Sequence, residues 1–138
     1  MRLRNDPLEL RRLAAAVEGF CDQHGLAADL ARKVNLALDE LLTNVMRHGF
    51  PPGADGRPDP GHEIEVSVEL QSRRLVARLR DDGKPFNPLD LPAPDLDTPL
   101  EDRPVGGLGV YLARQMMDSM RYRRVDGRNC LTVTKRLP

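Results

Sequence analysis

Asp39-Glu40-Leu41-Leu42-Thr43-Asn44-Val45-Met46-Arg47-His48-Gly49 is the stretch from which the fold is read. Val34, Leu38, Leu41 and Val45 recur at the helical period and mark one buried stripe, so the stretch is the second half of a helix that begins near Ala27 or Asp29. Glu40, Asn44 and His48 stand four apart and share a neighbouring face, about 100° round. Polar residues at that spacing are ordinary on a surface helix. Here, however, the helix must stop at His48-Gly49-Phe50-Pro51-Pro52, so the face holding the acid and the amide could border a cleft.

Upstream, Asp6-Pro7 reads as a helix start, with Asp6 as the cap and Pro7 at the first helical position. Leu8, Leu10, Leu13, Val17 and Phe20 supply the apolar face of this first helix, and Gly25 suits its C-terminal cap. Met1 to Asn5 is either an edge strand or a frayed end. The loop between the two helices is short, which makes them spatial neighbours.

Downstream, residues 49–61 form a Pro- and Gly-rich loop with no expected catalytic residue. Ile64, Val66, Val68 and Leu70 then alternate with Glu63, Glu65, Ser67 and Glu69, the mark of a strand with one buried side. A turn at Gln71-Ser72-Arg73-Arg74 leads to a second strand, with Leu75, Ala77 and Leu79 inward, running into Asp81-Asp82-Gly83. Residues 90–104 have no usable period, and a connection this long is either functional or disordered; a lid is one explanation. Gly106-Gly107-Leu108-Gly109 opens a helix read as reaching Met120. Met120 to Val125 and Asn129 to Arg136 read as a closing hairpin turned at Asp126-Gly127. This order implies a two-layer α/β sandwich, with helices on one face of a mixed, mainly antiparallel sheet.

The 138 residues suit a single domain, 1–138. Basic and acidic residues balance at 21 each, which argues against a general nucleic-acid surface. Cys21 and Cys130 make neither a disulfide framework nor a metal-ligand spacing, and read as buried thiols in a reducing compartment. No leader-like segment and no run of 18 apolar residues occurs, so the expected location is the cytoplasm, without a membrane partner.

Three polar clusters remain: Glu40 with Asn44, the segment Asp81 to Pro88, and Gly106 to Gly109. A nucleoside triphosphate asks for such parts. A carboxylate at a strand end accepts a hydrogen bond from an exocyclic amine, which selects adenine over guanine. Glycines before a helix let backbone N–H groups approach phosphate oxygens. An amide or carboxylate oxygen can hold Mg²⁺, and a glutamate nearby can orient or deprotonate an attacking hydroxyl. No phosphate-loop lysine motif and no dinucleotide fingerprint is present.

Over nearly its whole length the chain resembles the histidine-kinase-type ATPase superfamily, in particular its small stand-alone members, the anti-sigma-factor serine protein kinases. The helix motif of that family stands as Asp39, Glu40, Asn44, His48 and Gly49; its adenine motif as Asp81, Gly83, Pro85, Phe86, Asn87 and Pro88; its second glycine motif as Gly106, Gly107, Leu108 and Gly109. The resemblance implies ATP as the nucleotide, with Glu40 as catalytic base, Asn44 as the Mg²⁺ ligand and Asp81 as the adenine reader beside Gly83. It also implies a lid over 89–105, closed on the phosphates by the glycine loop. Arg103 is the one basic residue between Lys84 and Gly106, and would help neutralise the phosphates.

Asn87 replaces the family's more usual aspartate, and the position near the adenine that often carries a threonine falls on Asn129 or Cys130. His48 either packs at the helix end or supports the phosphate end. The function implied is an ATP-dependent serine/threonine protein kinase that phosphorylates a small anti-sigma-factor antagonist and binds a sigma factor. Homodimerisation is possible and no direct nucleic-acid contact is implied. The alternative is a nucleotide-gated binding module with little or no phosphoryl transfer.

Overall fold

A computed structural model describes residues 1–57, 59–91, 95, 97–99 and 108–138. In chain order the elements are β1 (Arg2–Arg4), α1 (Glu9–Gln23), α2 (Ala28–His48), β2 (Glu63–Gln71), β3 (Arg74–Asp81), α3 (Leu108–Met116), β4 (Ser119–Val125) and β5 (Arg128–Arg136). The strands form one sheet in the order β1-β2-β3-β5-β4, and every pairing among the described residues is antiparallel. The two-layer α/β arrangement is as expected, and Met1 to Asn5 resolves into an edge strand.

Period-two alternation decides which side of each strand is buried. Leu3, Ile64, Val66, Leu75, Ala77, Leu79, Leu131 and Val133 face inward and join one core with the helices. From α1 come Leu13, Val17 and Cys21, four apart; from α2 come Leu30, Val34, Leu38, Leu41, Leu42, Val45 and Met46. A fully buried leucine or valine contributes about 1.5–3 kcal/mol. The pairs Arg32–Asp29 and Lys33–Asp29 are exposed and screened by water, and add little beside this. Packing therefore holds α2, which at 21 residues is about 31 Å long, and makes it a rigid rail for the site.

Two helix ends refine the expectations. The regular part of α1 begins at Glu9 with Leu8 at the cap position, so Asp6 and Pro7 are not its cap and first residue but form a preceding turn, in which the Asp6 carboxylate accepts the Leu8 N–H at 3.0 Å. At its other end Gly25, at φ +65°, lets Leu26 N–H reach Cys21 O at 2.8 Å while Gly25 N–H bonds Asp22 O at 3.1 Å. The helix opened by the glycine loop stops at Met116, not Met120. Asp118 N–H bonds Thr134 O at 2.8 Å and the Asp118 carboxylate accepts the Arg136 N–H at 2.6 Å, which draws the chain into the sheet. The closing hairpin turns at Asp126-Gly127, both with positive φ (51° and 75°), as a two-residue turn between twisted strands requires.

Candidate active site

The C-terminal half of α2 runs between two glycine contacts. At one end the Glu40 carboxylate lies against the first turn of α3. A Cβ on Gly109 would stand 2.2 Å from Glu40 Oε2, so only the bare backbone of glycine lets the two meet. One turn on, Asn44 Nδ2 donates to Glu40 O at 2.9 Å. A carbonyl accepts only a donor, so this contact fixes the orientation of the amide and leaves Asn44 Oδ1 to project from the helix. Oδ1 has no hydrogen-bond partner among the described residues. At the far end the α2 backbone meets the loop that leaves β3: Lys84 N–H bonds Gly49 O at 2.9 Å, and a Cβ on Gly83 would lie 2.3 Å from that oxygen.

Asp81 is the last inward position of β3, in line with Leu75, Ala77 and Leu79, and it is buried. Its Oδ1 accepts both the Gly83 N–H and Asn129 Nδ2, each at 2.9 Å. Oδ2 makes no hydrogen bond among the described residues. Burial pushes the carboxyl above its ordinary pKa, and the bonds from Asn129 and Gly83 with the nearby charge of Arg124 partly offset that rise. Arg124 also donates to Gly83 O at 2.8 Å, bracing the loop from β4.

The loop after β3 is fastened at several points. Asn129 donates to Lys84 O at 2.8 Å and accepts from Phe86 N–H at 3.3 Å and from the Tyr122 hydroxyl. Asn87 accepts the Leu89 N–H at 2.9 Å and caps a short 3₁₀ turn, Pro88–Asp90, a backbone role that an aspartate would fill equally.

The structure thus brings Glu40 and Gly109 together at one end of the α2 rail and Asp81 and Gly83 at the other, with Asn44 between. Leu108 begins α3 and is half-buried. Arg103, Gly106 and Gly107, with most of the segment 89–105, lie outside the described residues. His48 is exposed, its ring 6.0 Å from that of Phe86, so it sits at the Gly83 end of the rail and packs there.

Alternation sends Asn129 and Cys130 to opposite sides of the sheet. Asn129 lies on the inward side with Leu131 and Val133, opposite Asp81, whereas Cys130 faces outward and is half-buried; Cys21 is the fully buried thiol. Tyr122 and Arg124 carry no motif and were not anticipated. The available signal was a polar Asn at an inward strand position, which needs partners of its own.

The described residues thus form a five-stranded antiparallel sheet under helices, with a buried strand-end Asp and a helix-borne Glu and Asn. The family model for the histidine kinase-like ATPase domain matches residues 3–135, and the chain belongs to that family. Among curated relatives, the serine/threonine-protein kinase BtrW of Bordetella bronchiseptica is 34% identical over 110 residues, which cover 78% of this chain and 72% of that protein. The serine-protein kinase RsbW of Bacillus mycoides is 29% identical over 117 residues, covering 82% and 69%. Among solved structures, a histidine kinase domain of the Erythrobacter litoralis blue-light-activated histidine kinase superposes with a TM-score of 0.55 at 18% identity, over 95% of this chain and 60% of that one. The Acinetobacter baumannii histidine kinase AdeS gives 0.50 at 17%, over 78% and 47%. The structural likenesses, to chains of which this one spans about half, establish the fold.

Proposed function

We propose that the chain is an ATP-dependent serine/threonine protein kinase of the anti-sigma-factor type, acting on a small anti-sigma-factor antagonist and holding a sigma factor. The observation that carries this reading is Glu40 and Asn44 one turn apart on α2, with Gly109 beside Glu40 and the loop after Asp81 joined to the end of the same helix at Gly49. The kinase relatives BtrW and RsbW support it.

In this reading Asp81 Oδ2 accepts the adenine exocyclic N–H, since Oδ1 is already engaged. The triphosphate then runs along α2 toward the start of α3, where backbone N–H groups and the positive helix end favour its oxygens. Arg103 and the glycines 106 and 107 complete the phosphate end. Asn44 Oδ1 is a hard oxygen donor of the kind Mg²⁺ accepts alongside phosphates and water. When bound, that ion offsets charge on the phosphates. The Glu40 carboxylate orients the partner's hydroxyl and takes its proton as the hydroxyl oxygen bonds to the γ-phosphorus and the bond to ADP breaks. Gly109 leaves room for the carboxylate to sit there. A cytoplasmic location suits a kinase with a sigma factor as partner, and among the described residues no helix is long and apolar enough to cross a membrane. A homodimeric active form belongs to the same proposal.

The test is transfer of label from γ-³²P-ATP with Mg²⁺ to each small sigma-antagonist-type protein of the same genome. Label on a serine or threonine of one candidate, lost in Glu40→Gln while ATP still binds, supports the kinase. Firm ATP binding with no label on any candidate overturns it in favour of a nucleotide-gated binding module.

A further inference from the structure

The side of the sheet away from the helices carries a charge pattern that the nucleotide site does not use. Outward positions of β3, β5 and β4 bring Arg80, Cys130 and Arg123 into one cross-strand row, with Arg78, Thr132 and Arg121 in the next. Arg78, Arg80, Arg123 and Arg128, with Cys130 and Thr132, line an open concavity of about 560 Å³. Asp126, in the hairpin turn, is the one carboxylate lining it.

The chain's own acids leave much of this charge unmatched. Arg78 is held by Glu69, and Arg128 meets Glu65 at 3.9 Å, a carboxylate it shares with Arg2 at 3.5 Å. Arg80, Arg121 and Arg123 are exposed and have no ion pair among the described residues. In a protein of zero formal charge this is a local concentration: Arg78 with Arg80, and Arg121 with Arg123, are same-face neighbours two residues apart along their strands, and like charges so placed repel. An anion placed across them removes the repulsion and gains charge-assisted hydrogen bonds from planar guanidinium forks.

The width of the patch selects the occupant. From β3 to β4 it spans about 10 Å, two inter-strand spacings. Beyond β3 it is bounded by Glu63, Glu65 and Glu69 on the outward side of β2. A nucleic-acid duplex would overlie that acidic stripe, whereas a short segment would not. Glu65 and Glu69 already serve Arg2, Arg78 and Arg128, so a second copy meeting this face with its own acidic stripe has few free carboxylates there to offer. We propose that the β3–β5–β4 part of the open sheet face docks a short, carboxylate-rich segment of a partner protein, gripped by Arg80, Arg121 and Arg123. This is independent of the nucleotide reading.

The probe is a fluorescein-labelled Glu-rich octapeptide, with its Gln counterpart, titrated with the full chain and followed by anisotropy at low and high salt. The Glu peptide binds, salt weakens it, and the Gln peptide does not bind. Arg80→Gln with Arg123→Gln lowers affinity on the order of tenfold or more, with ATP affinity and melting temperature unchanged. Arg121→Gln alone, a single exposed change, weakens binding in the same direction. Absence of Glu-peptide binding overturns the proposal, as does binding indifferent to these substitutions. So does tighter binding of a duplex oligonucleotide at the same arginines. Sedimentation showing a dimer that becomes a monomer in the double variant would assign the face to a second copy instead.

Discussion

Asn129 and Asp81 face each other across β5 and β3, and the Asn129 amide donates to Asp81 Oδ1 at 2.9 Å while bonding Lys84 O at 2.8 Å. One side chain therefore fixes both the carboxylate and the loop that follows it. Asn129 Oδ1 is occupied in turn by Tyr122 and Phe86 N–H, so its amide is saturated and cannot rotate away. The carboxylate is left with one oxygen turned to a fixed direction, which is what reading a single exocyclic amine requires.

Asp81→Asn separates recognition from folding. The substituted amide keeps an oxygen for Asn129 and Gly83 but, in the proposed reading, presents an N–H where the adenine N–H would donate, so loss of ATP binding is expected. The carboxyl pKa is raised in the folded state, chiefly by burial. Its favourable contribution is accordingly full below the ordinary carboxylate range and is lost as pH rises through the raised value. At neutral pH the ionised group costs stability that asparagine does not. Melting curves across pH should show Asp81→Asn gaining on the wild type from acid to neutral; a gain confined to acid pH would contradict the assignment.

Asn129→Ala leaves the Tyr122 hydroxyl and Phe86 N–H without their acceptor and Asp81 Oδ1 with only Gly83. The cost expected is about 1–3 kcal/mol of stability. Because Glu40 lies more than two turns back along α2 from the Gly49 joint, the kinetic effect should fall on KM for ATP, with kcat at saturation little changed. Steady-state kinetics separates the two; a loss confined to kcat would mean that Asn129 acts on the phosphate end.

The two ends of the rail were unequally legible in the sequence. Glu40 and Asn44 could be placed because helical spacing fixes which residues share a face, and Asp81 because strand alternation carries it inward. Asn129 was one of two candidates until the β3–β5 register set it opposite Asp81, a pairing across 48 positions that local pattern does not contain. Arg124 and Tyr122 were invisible for the same reason, since their partners are loop atoms and another side chain. The end of α3 was overrun because Met116, Met117 and Met120 keep an apolar spacing, while the stop comes from Asp118 bonding to β5. The arginine face was diluted in a neutral overall charge and emerged once three strands lay side by side.

Gly83→Ala tests the joint between the β3 loop and α2. The added methyl would stand 2.3 Å from Gly49 O and 2.9 Å from Asp81 Oδ1, and the first is backbone that cannot swing aside. A loss of about 1–3 kcal/mol is expected, with nucleotide affinity falling as the loop shifts. Gly19→Ala is the contrasting case: it lies within α1, exposed, with nothing within 4 Å of the new methyl. There the gain should be about 0.5–1 kcal/mol from helix propensity alone. Denaturant titrations of both variants check the pair, and equal effects would mean that the close approach at Gly83 is not what holds the joint.

Gly109→Ala probes the phosphate end in a different way. The nearest atom to the new methyl is Glu40 Oε2 at 2.2 Å, the tip of a flexible side chain, and the Glu40 Cδ is at 3.2 Å. The carboxylate can move where a carbonyl could not, so the fold should lose less than about 1 kcal/mol, the scale of an off-rotamer side chain. What moves, however, is the group assigned to the partner's proton. A displacement near 1 Å at a reacting centre lowers rate on the order of a hundredfold. Phosphoryl transfer should therefore drop toward that of Glu40→Gln, while ATP affinity and melting temperature stay close to wild type. Were Gly109→Ala to lose ATP binding and keep its transfer rate at saturation, the glycine would serve the phosphates and not the position of Glu40, and the base would have to be sought elsewhere on α2.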